Sequence, residues 1–232
     1  PVLWGRPGRH ASQAQTVATV AALARAGHAV TLILPRGERD PSLSSADLRA
    51  WFAVEGEFHT LQRPSRWQGD ALLKTVMWLR QVFADQAVNE ADILYSRIPA
   101  MVGIGGRSPL PFATDHYRPW PDIYPAIRAF VQRTANRPHC LAYIIHSHYA
   151  ADAYLRSGVP ADRLLVAHNG FDSLGGPIDK AEARQRVGLP LDRKIAVYAG
   201  RINIEKGLDT LLDLADSAPA DNRAVFIDSD DP

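Results

Sequence analysis

The chain has little cysteine, few lysines and almost no net charge. Cys140 is the single cysteine among 232 residues, so the chain can form no internal disulfide and no zinc site built from several cysteines. This composition fits a reducing compartment, and we expect a cytoplasmic protein. Basic residues number 26 against 25 acidic ones. A formal charge of +1 supplies no strong field for nucleic acid, so a nucleic-acid partner is not expected.

Long apolar runs are also missing. No stretch approaches the ~18 apolar residues needed to span a bilayer. The opening segment, Pro1–Gly5, lacks the basic region and the apolar stretch of a signal peptide. The stretch Arg63–Trp67 mixes two basic residues with one aromatic residue, a composition that leaves open a peripheral contact with anionic lipid at the inner membrane face. A solvated helix start is the favoured interpretation of that segment, because the net charge is near zero.

Short apolar runs alternate with longer segments of helical periodicity along the chain. Several runs are apolar throughout, which is typical of strands buried on both faces of a parallel sheet. The pattern predicts strands at 2–4, 29–34, 57–61, 92–95, 111–114, 141–145, 164–167, 195–199 and 224–227. It predicts helices at 11–26, 70–88, 122–136, 150–157, 179–187 and 208–216. Repeated strand–helix–strand units predict an α/β fold that is doubly wound around a parallel, Rossmann-like sheet.

Turn-forming residues at 169–178 interrupt this alternation. We therefore predict a first Rossmann-like domain at 1–168, a linker at 169–178 and a second domain at 179–232. The second domain contains only two predicted strands, fewer than a nucleotide-binding lobe needs, so we expect it to be incomplete. Its unfinished sheet edge is a candidate surface for self-association or for a partner chain.

Two loops at the carboxyl ends of predicted strands are candidate anion sites. Gly5 and Gly8 lie between the first strand and the first helix, where backbone amides and a helix N-terminus meet. Gly200 ends a strand of the second domain, and Arg201 and Lys206 flank the short loop that follows. An arginine fork, a lysine and a helix N-terminus can together stabilise a leaving diphosphate without a metal. On spacing alone, two solvated loop cations fit equally well.

An NADP-dependent oxidoreductase is a weaker alternative. Its G-x-G-x-x-G fingerprint needs three glycines, whereas the first loop offers only Gly5 and Gly8. The second strand is followed by Arg36 instead of the acidic residue that binds a ribose. Arg36 could favour a 2′-phosphate, but the missing glycine and the missing acid count against this class.

Four stretches, taken together, carry a more specific pattern. They read AGHAVTL at 26–32, DILYSR at 92–97, GVPADRL through AHNGFD at 158–172, and VYAGR, EKG and LLDL within 197–214. In this order they resemble the family-four glycosyltransferases, which are retaining enzymes of the two-lobed GT-B fold. The resemblance covers nearly the whole chain and implies a Rossmann-like first lobe followed by the start of a second. It also implies transfer of a sugar from a nucleotide-diphosphate sugar to an acceptor hydroxyl, in polysaccharide or glycolipid biosynthesis.

The resemblance assigns roles to single residues. Arg201 and Lys206 would hold the donor diphosphate, and the loop from Gly5 to Gly8 would face the sugar and the phosphates across the cleft. His116, which follows a first-lobe strand, would contact the transferred sugar. No metal and no cofactor are implied, because the nucleotide sugar is itself a substrate. The acceptor would be a saccharide or a lipid-linked sugar.

Three further expectations and one alternative concern the first lobe and the chain as a whole. Tyr117, Arg118 and Trp120 follow His116 and could line an acceptor pocket, although surface decoration is an equally good interpretation. His146 and His148 are interpreted as structural, since no acidic residue lies at metal-ligand spacing. We expect the chain by itself to be inactive. The alternative to an enzyme of this kind is a non-catalytic remnant or interaction module of the same fold.

Overall fold

The computed structural model describes residues 11–37, 40–64, 78–97, 110–170, 176–200, 202, 204–217 and 222–227. These residues divide into two compact units, one at 12–170 and one from 176 onward. Both units are α/β arrangements in which every strand pairs in parallel. The predicted fold class is therefore confirmed. The assignment of residues 1–168, 169–178 and 179–232 to a first lobe, a linker and a second lobe stays a prediction.

The first unit alternates strands and helices. Its elements are α1 (Ala11–Arg25), β1 (Thr31–Arg36), α2 (Ser45–Phe52), β2 (His59–Pro64), α3 (helical residues 78–83), α4 (Gln86–Asn89), β3 (Leu94–Ser96), β4 (Phe112–His116), α5 (Trp120–Ile123), α6 (Arg128–Ala135), β5 (Cys140–Ile145), α7 (His148–Arg156) and β6 (Leu164–Val166). The second unit contains α8 (Lys180–Arg186), β7 (Lys194–Ala199), α9 (Leu208–Ser217) and β8 (Asn222–Ile227). Among the described helices, none is long and apolar enough to cross a membrane.

The strands of the first unit form two parallel sheets. One pairs β1 with β2, and the other runs in the order β3-β4-β5-β6. Because neighbouring strands in the second sheet run the same way, their carboxyl ends lie at one edge. In open α/β sheets this is the edge at which ligands bind.

Helix α1 and strand β1 bury a common core. Val17, Val20 and Ala21 lie on one face of the helix, at the spacing that 3.6 residues per turn requires, and all three are buried. They pack in one cluster with Leu32 and Leu34 of β1. Fully burying one of the valine or leucine side chains in this cluster stabilises the fold by roughly 1.5–3 kcal/mol.

A glycine in the loop after α2 allows the chain to pass close to α1. Gly56 has φ +120°, a conformation that L side chains rarely adopt. A Cβ at this position would lie 2.4 Å from the carbonyl oxygen of Ala21. Only glycine therefore fits at this approach.

The four-stranded sheet packs against α6 and α7. Phe112, Tyr143 and Ile145 of the strands join Val131 of α6 and Tyr154 of α7 in one buried cluster. Helix α7 begins with a side-chain cap, because the Ser147 hydroxyl accepts a hydrogen bond from the Ala150 N–H at 3.2 Å. Such a cap is worth about 1 kcal/mol. The cap and the core together fix the start of α7 beside the carboxyl end of β5.

Strand β5 contains one residue more than its partner. Phe112 pairs with Cys140, but Ala113 pairs with Ala142, so Leu141 is a β-bulge residue without a partner in β4. After the bulge, Thr114 pairs with Tyr143. Paired residues of parallel strands point to the same face. The bulge therefore brings Tyr143 to the face of the sheet that carries Thr114.

The structure differs from the sequence prediction between 122 and 136. A single predicted helix is replaced by α5, a 3-10 turn at Pro125–Ile127 and α6. Pro125 has no N–H to donate and disfavours helical backbone at the preceding residue, and Tyr124 accordingly has φ −129° and ψ 81°. The residues on either side of Pro125 are helical as predicted, but the proline divides the predicted helix into two.

The second unit lacks a buried core among the residues that the structure describes. None of the side chains described in α8, β7 and α9 is buried. Several large apolar side chains are exposed, among them Val197 of β7 and Leu214 of α9.

We expect the second unit to open far more readily than the first. Backbone amides of β7 should exchange with solvent at least about 100-fold faster than those of β5, because local stability follows the amount of buried apolar contact. Hydrogen–deuterium exchange followed by mass spectrometry measures both strands in one experiment. Equal protection of the two strands would contradict this expectation.

Candidate active site

The last three residues of β4 lie at the carboxyl edge of the four-stranded sheet. Thr114, Asp115 and His116 are all buried, with no more than 4% of any of them exposed. Side chains alternate along a strand, so Thr114 and His116 share one face and Asp115 points to the other. The edge therefore presents two different environments on the two faces of one strand.

His116 lies within a stack of aromatic rings. Its ring is parallel to that of Tyr154, with centroids 5.7 Å apart, and is tilted against Tyr143 at 5.9 Å. Its Nε2 lies 2.7 Å from the Thr114 hydroxyl, and the two atoms share a hydrogen bond. Burial lowers the pKa of His116 to about 4, against the opposing charge of Asp115. The imidazole is therefore neutral at pH 7.

Asp115 is held by three side chains on the other face. The Tyr95 hydroxyl donates a hydrogen bond to Oδ2, and the Arg97 Nε lies 3.5 Å from the same oxygen. The His146 Nε2 lies 2.6 Å from Oδ1, as a close contact without the alignment of a hydrogen bond. Burial is the main cause that raises the pKa of Tyr95, and the hydrogen bond to Asp115 raises it further. The phenol therefore keeps its proton and donates a hydrogen bond to Asp115. We call Tyr95, Arg97, Asp115 and His146 the Asp115 cluster.

Several buried polar atoms at this edge have no hydrogen-bond partner among the described residues. They are Nη1 of Arg97, Oδ1 of Asp115, Nδ1 of His116 and Nδ1 of His146. An unsatisfied buried donor or acceptor costs about 1–3 kcal/mol. A fold that retains four of them around Asp115 and His116 needs a reason for doing so. A polar ligand or bound water at the sheet edge is the simplest one.

The predicted site residues fall into three groups. His116 is described and lies at the carboxyl end of β4. Gly200 and Lys206 are described in the second unit, where Gly200 has φ +155° and Lys206 is exposed at the end of the 3-10 turn Ile204–Lys206. Gly5, Gly8 and Arg201 lie outside the described residues.

Sequence reasoning missed most of the Asp115 cluster. It set His146 aside as structural and gave no role to Tyr95, Arg97 or Asp115. The signal that could have found them is the position of each at the end of one of three neighbouring strands. Two polar residues that lie two positions apart at the end of one strand point to the same face of the sheet, at the same edge.

Solved structures define the class of the fold. Three crystal structures of Anabaena HepE, in complex with UDP and glucose, with UDP, and with UDP-glucose, match the chain with TM-scores of 0.59, 0.63 and 0.58. Each is 17% identical to it and matches 96% of it, but only 57% or 58% of HepE. The fold is that of the GT-B glycosyltransferases.

The family follows from the sequence match. Residues 13–173 match Glycosyltransferase Family 4, and the chain belongs to this family, which confirms the resemblance read from its motifs. TuaC of Bacillus subtilis (strain 168), named as a teichuronic acid biosynthesis glycosyltransferase, is 28% identical over 180 residues. That match covers 75% of this chain and 45% of TuaC. The chain thus spans about half the length of the curated relative that it matches.

Proposed function

We propose that the chain forms the acceptor-side lobe and the beginning of the donor lobe of a retaining, metal-independent glycosyltransferase. The reaction is transfer of a sugar from a nucleotide-diphosphate sugar to an acceptor hydroxyl, in the synthesis of a polysaccharide or glycolipid. The match to Glycosyltransferase Family 4 over residues 13–173 carries this proposal. The HepE complexes contain UDP or UDP-glucose, so UDP is the first nucleotide to test. The name of TuaC favours a polysaccharide acceptor.

In this proposal His116 positions the transferred sugar as a neutral group. An imidazole with a pKa of about 4 carries no charge at pH 7, so it would bind a sugar hydroxyl by a hydrogen bond. Its Nε2 is engaged by Thr114, whereas Nδ1 has no partner in the described part of the chain. Nδ1 is therefore the atom assigned to the sugar. The Asp115 cluster fixes the backbone of β4 from the opposite face.

Arg201 and Lys206 are assigned to the leaving diphosphate. Departure of a nucleoside diphosphate develops about two negative charges, which a guanidinium fork and an ammonium group can stabilise without a metal. Gly200 lets the chain turn sharply out of β7 at φ +155°. In the first lobe, the proposal assigns Gly5 and Gly8 to backbone contact with the donor.

A thermal-shift titration with UDP, GDP and ADP tests the proposal on this chain. A nucleoside diphosphate at 100 times its dissociation constant should stabilise the folded chain by about 2.7 kcal/mol and raise its melting temperature. Arg201→Ala and Lys206→Ala should each weaken binding by about tenfold to 100-fold, because each removes a charge-assisted hydrogen bond to phosphate. Lys180→Ala is the matched control, since Lys180 is an exposed lysine of α8 in the same unit.

Three outcomes would contradict the proposal in different ways. Stabilisation that is equal in wild type, Arg201→Ala and Lys206→Ala would remove these residues from the phosphate site. No change in melting temperature with UDP, GDP or ADP would favour the non-catalytic interaction module. Stabilisation by NADPH alone would favour the oxidoreductase alternative that uses Arg36.

A further inference from the structure

An exposed group of aromatic side chains follows His116 directly. Tyr117 and Tyr124 are 53% and 56% exposed. Trp120 contacts both, stacked on Tyr124 with centroids 5.8 Å apart and edge-on to Tyr117 at 6.1 Å. The Arg118 guanidinium lies 5.4 Å from the centre of the Tyr117 ring and 5.7 Å from that of Trp120. We call Tyr117, Arg118, Trp120 and Tyr124 the aromatic platform.

The continuity of this surface distinguishes it from ordinary exposed apolar residues. Single exposed aromatic side chains are common and need no explanation. Here three rings contact one another in sequence, and a cation covers two of them. Rings arranged in this way present a rigid apolar face with a negative quadrupole.

The loop that carries the platform is anchored to the His116 stack. The Tyr154 hydroxyl donates a hydrogen bond to the Arg118 carbonyl oxygen at 3.3 Å. The same Tyr154 ring stacks on His116. The platform and the candidate sugar-positioning residue are therefore held by one buried side chain.

A second anchor holds the short helix α5. Asp122 accepts hydrogen bonds from Arg128 at 3.2 Å and from Arg156 of α7 at 2.6 Å. Arg128 also donates from Nε to the Pro121 carbonyl oxygen at 2.9 Å. These bonds tie α5 to α6 and α7. A surface held in place before binding loses little conformational entropy when a ligand arrives.

Arg118 differs from the two neighbouring arginines in its partners. Arg128 and Arg156 both bind Asp122. The Arg118 guanidinium contacts the two rings and, within the described residues, forms no side-chain hydrogen bond or ion pair. Its planar fork therefore remains available to a carboxylate, which it can bind through two parallel hydrogen bonds.

We propose that the aromatic platform binds an acidic saccharide, a sugar ring that carries a carboxylate. The C–H groups on the apolar face of the ring would pack on the exposed Tyr117 or Tyr124 ring, and the carboxylate would bind Arg118. That this sugar is the acceptor rests on the proposed transferase function. The binding itself does not, because it depends only on the platform.

Saturation-transfer NMR on the full chain tests this proposal with two matched ligands, methyl β-glucuronide and methyl β-glucoside. The glucuronide should bind more tightly, and its ring protons should receive saturation. Tyr117→Ala should weaken its binding by about tenfold, the scale of one aromatic contact. Arg118→Gln should abolish the preference for glucuronide over glucoside, and Arg118→Lys should restore only part of it, because lysine lacks the fork.

The control is Tyr149→Ala. Tyr149 lies on α7 in the same unit, is 75% exposed and is not part of the platform. This variant should bind the glucuronide like wild type. Near-ultraviolet circular dichroism of every variant shows whether the aromatic packing is retained, and a variant that loses it is replaced by Tyr117→Leu, which keeps the bulk and removes the ring.

Several results would overturn the proposal. It fails if neither sugar binds, if Tyr117→Ala binds like Tyr149→Ala, or if Arg118→Gln keeps the preference for the acid. Platform-dependent sedimentation with phosphatidylglycerol vesicles in the absence of sugar binding would assign the surface to a membrane instead. UDP titration of the same variants separates the two proposals. Platform-dependent sugar binding without any nucleotide response would support this inference and contradict the transferase.

Discussion

Replacing Asp115 by alanine is expected to destabilise the first unit by about 3–5 kcal/mol, the cost of leaving one partner of a buried ion pair without the other. Arg97 and His146 contact this carboxylate, and their side chains are 17% and 10% exposed. An arginine cannot release its proton at neutral pH, so the charge of Arg97 would stay in place without compensation. The Tyr95 hydroxyl would lose its acceptor as well.

Urea unfolding followed by tryptophan fluorescence measures this loss. The described tryptophans, Trp51, Trp78 and Trp120, all lie in the first unit, so their fluorescence reports on its unfolding. Asp122→Ala is the matched control, because Asp122 also pairs with two arginines but is 32% exposed, and its loss should cost no more than about 1 kcal/mol. Equal losses for Asp115→Ala and Asp122→Ala would show that burial of the Asp115 cluster contributes nothing.

The stability of the first unit should also fall as the pH drops from about 6.5 to about 4. Burial lowers the pKa of His116 to about 4 in the folded chain, whereas an exposed histidine titrates near 6.5. Between these values the unfolded chain binds the proton and the folded chain does not, so acidification favours unfolding. This difference amounts to roughly 3 kcal/mol, present above pH 6.5 and lost by pH 4.

Urea midpoints at a series of pH values between 4 and 7 test this linkage. His116→Gln should flatten the dependence, whatever its stability at pH 7, because the titrating group is gone. The exposed His28 supplies the control, and His28→Gln should keep the wild-type slope. A slope that is the same in His116→Gln and wild type would place the acid sensitivity elsewhere in the chain.

The sequence predicts the architecture well because strands and helices have strong local signals. The apolar runs at 111–114, 141–145 and 164–167 correspond to β4, β5 and β6 within two residues at either end. The sequence analysis does not predict helix α2, although Ser44 and Asp47 form a capping box, which is a sequence signal for a helix N-terminus. The division of the helix at 122–136 could have been read from Pro125.

The composition of the candidate site is much harder to derive from the sequence. Tyr95, Asp115 and His146 are 20 and 31 residues apart along the chain and meet only because their strands pair in one register. Local periodicity gives the face of each strand but not the offset between strands. The position of His116 was predicted from the family pattern, whereas its partners Tyr143 and Tyr154 required the structure.

The β-bulge at Leu141 decides which residues of β5 point to each face of the sheet. Counting alternate residues from Cys140 would place Tyr143 beside Asp115, yet the odd residue shifts the count and brings it beside Thr114. Removing Leu141 would eliminate the bulge, and Ala142 and the residues after it would keep their partners in β4. Removing Ile144 would instead bring His146 to the face that carries His116, and Asp115 would lose its contact with His146 although every site residue was still present.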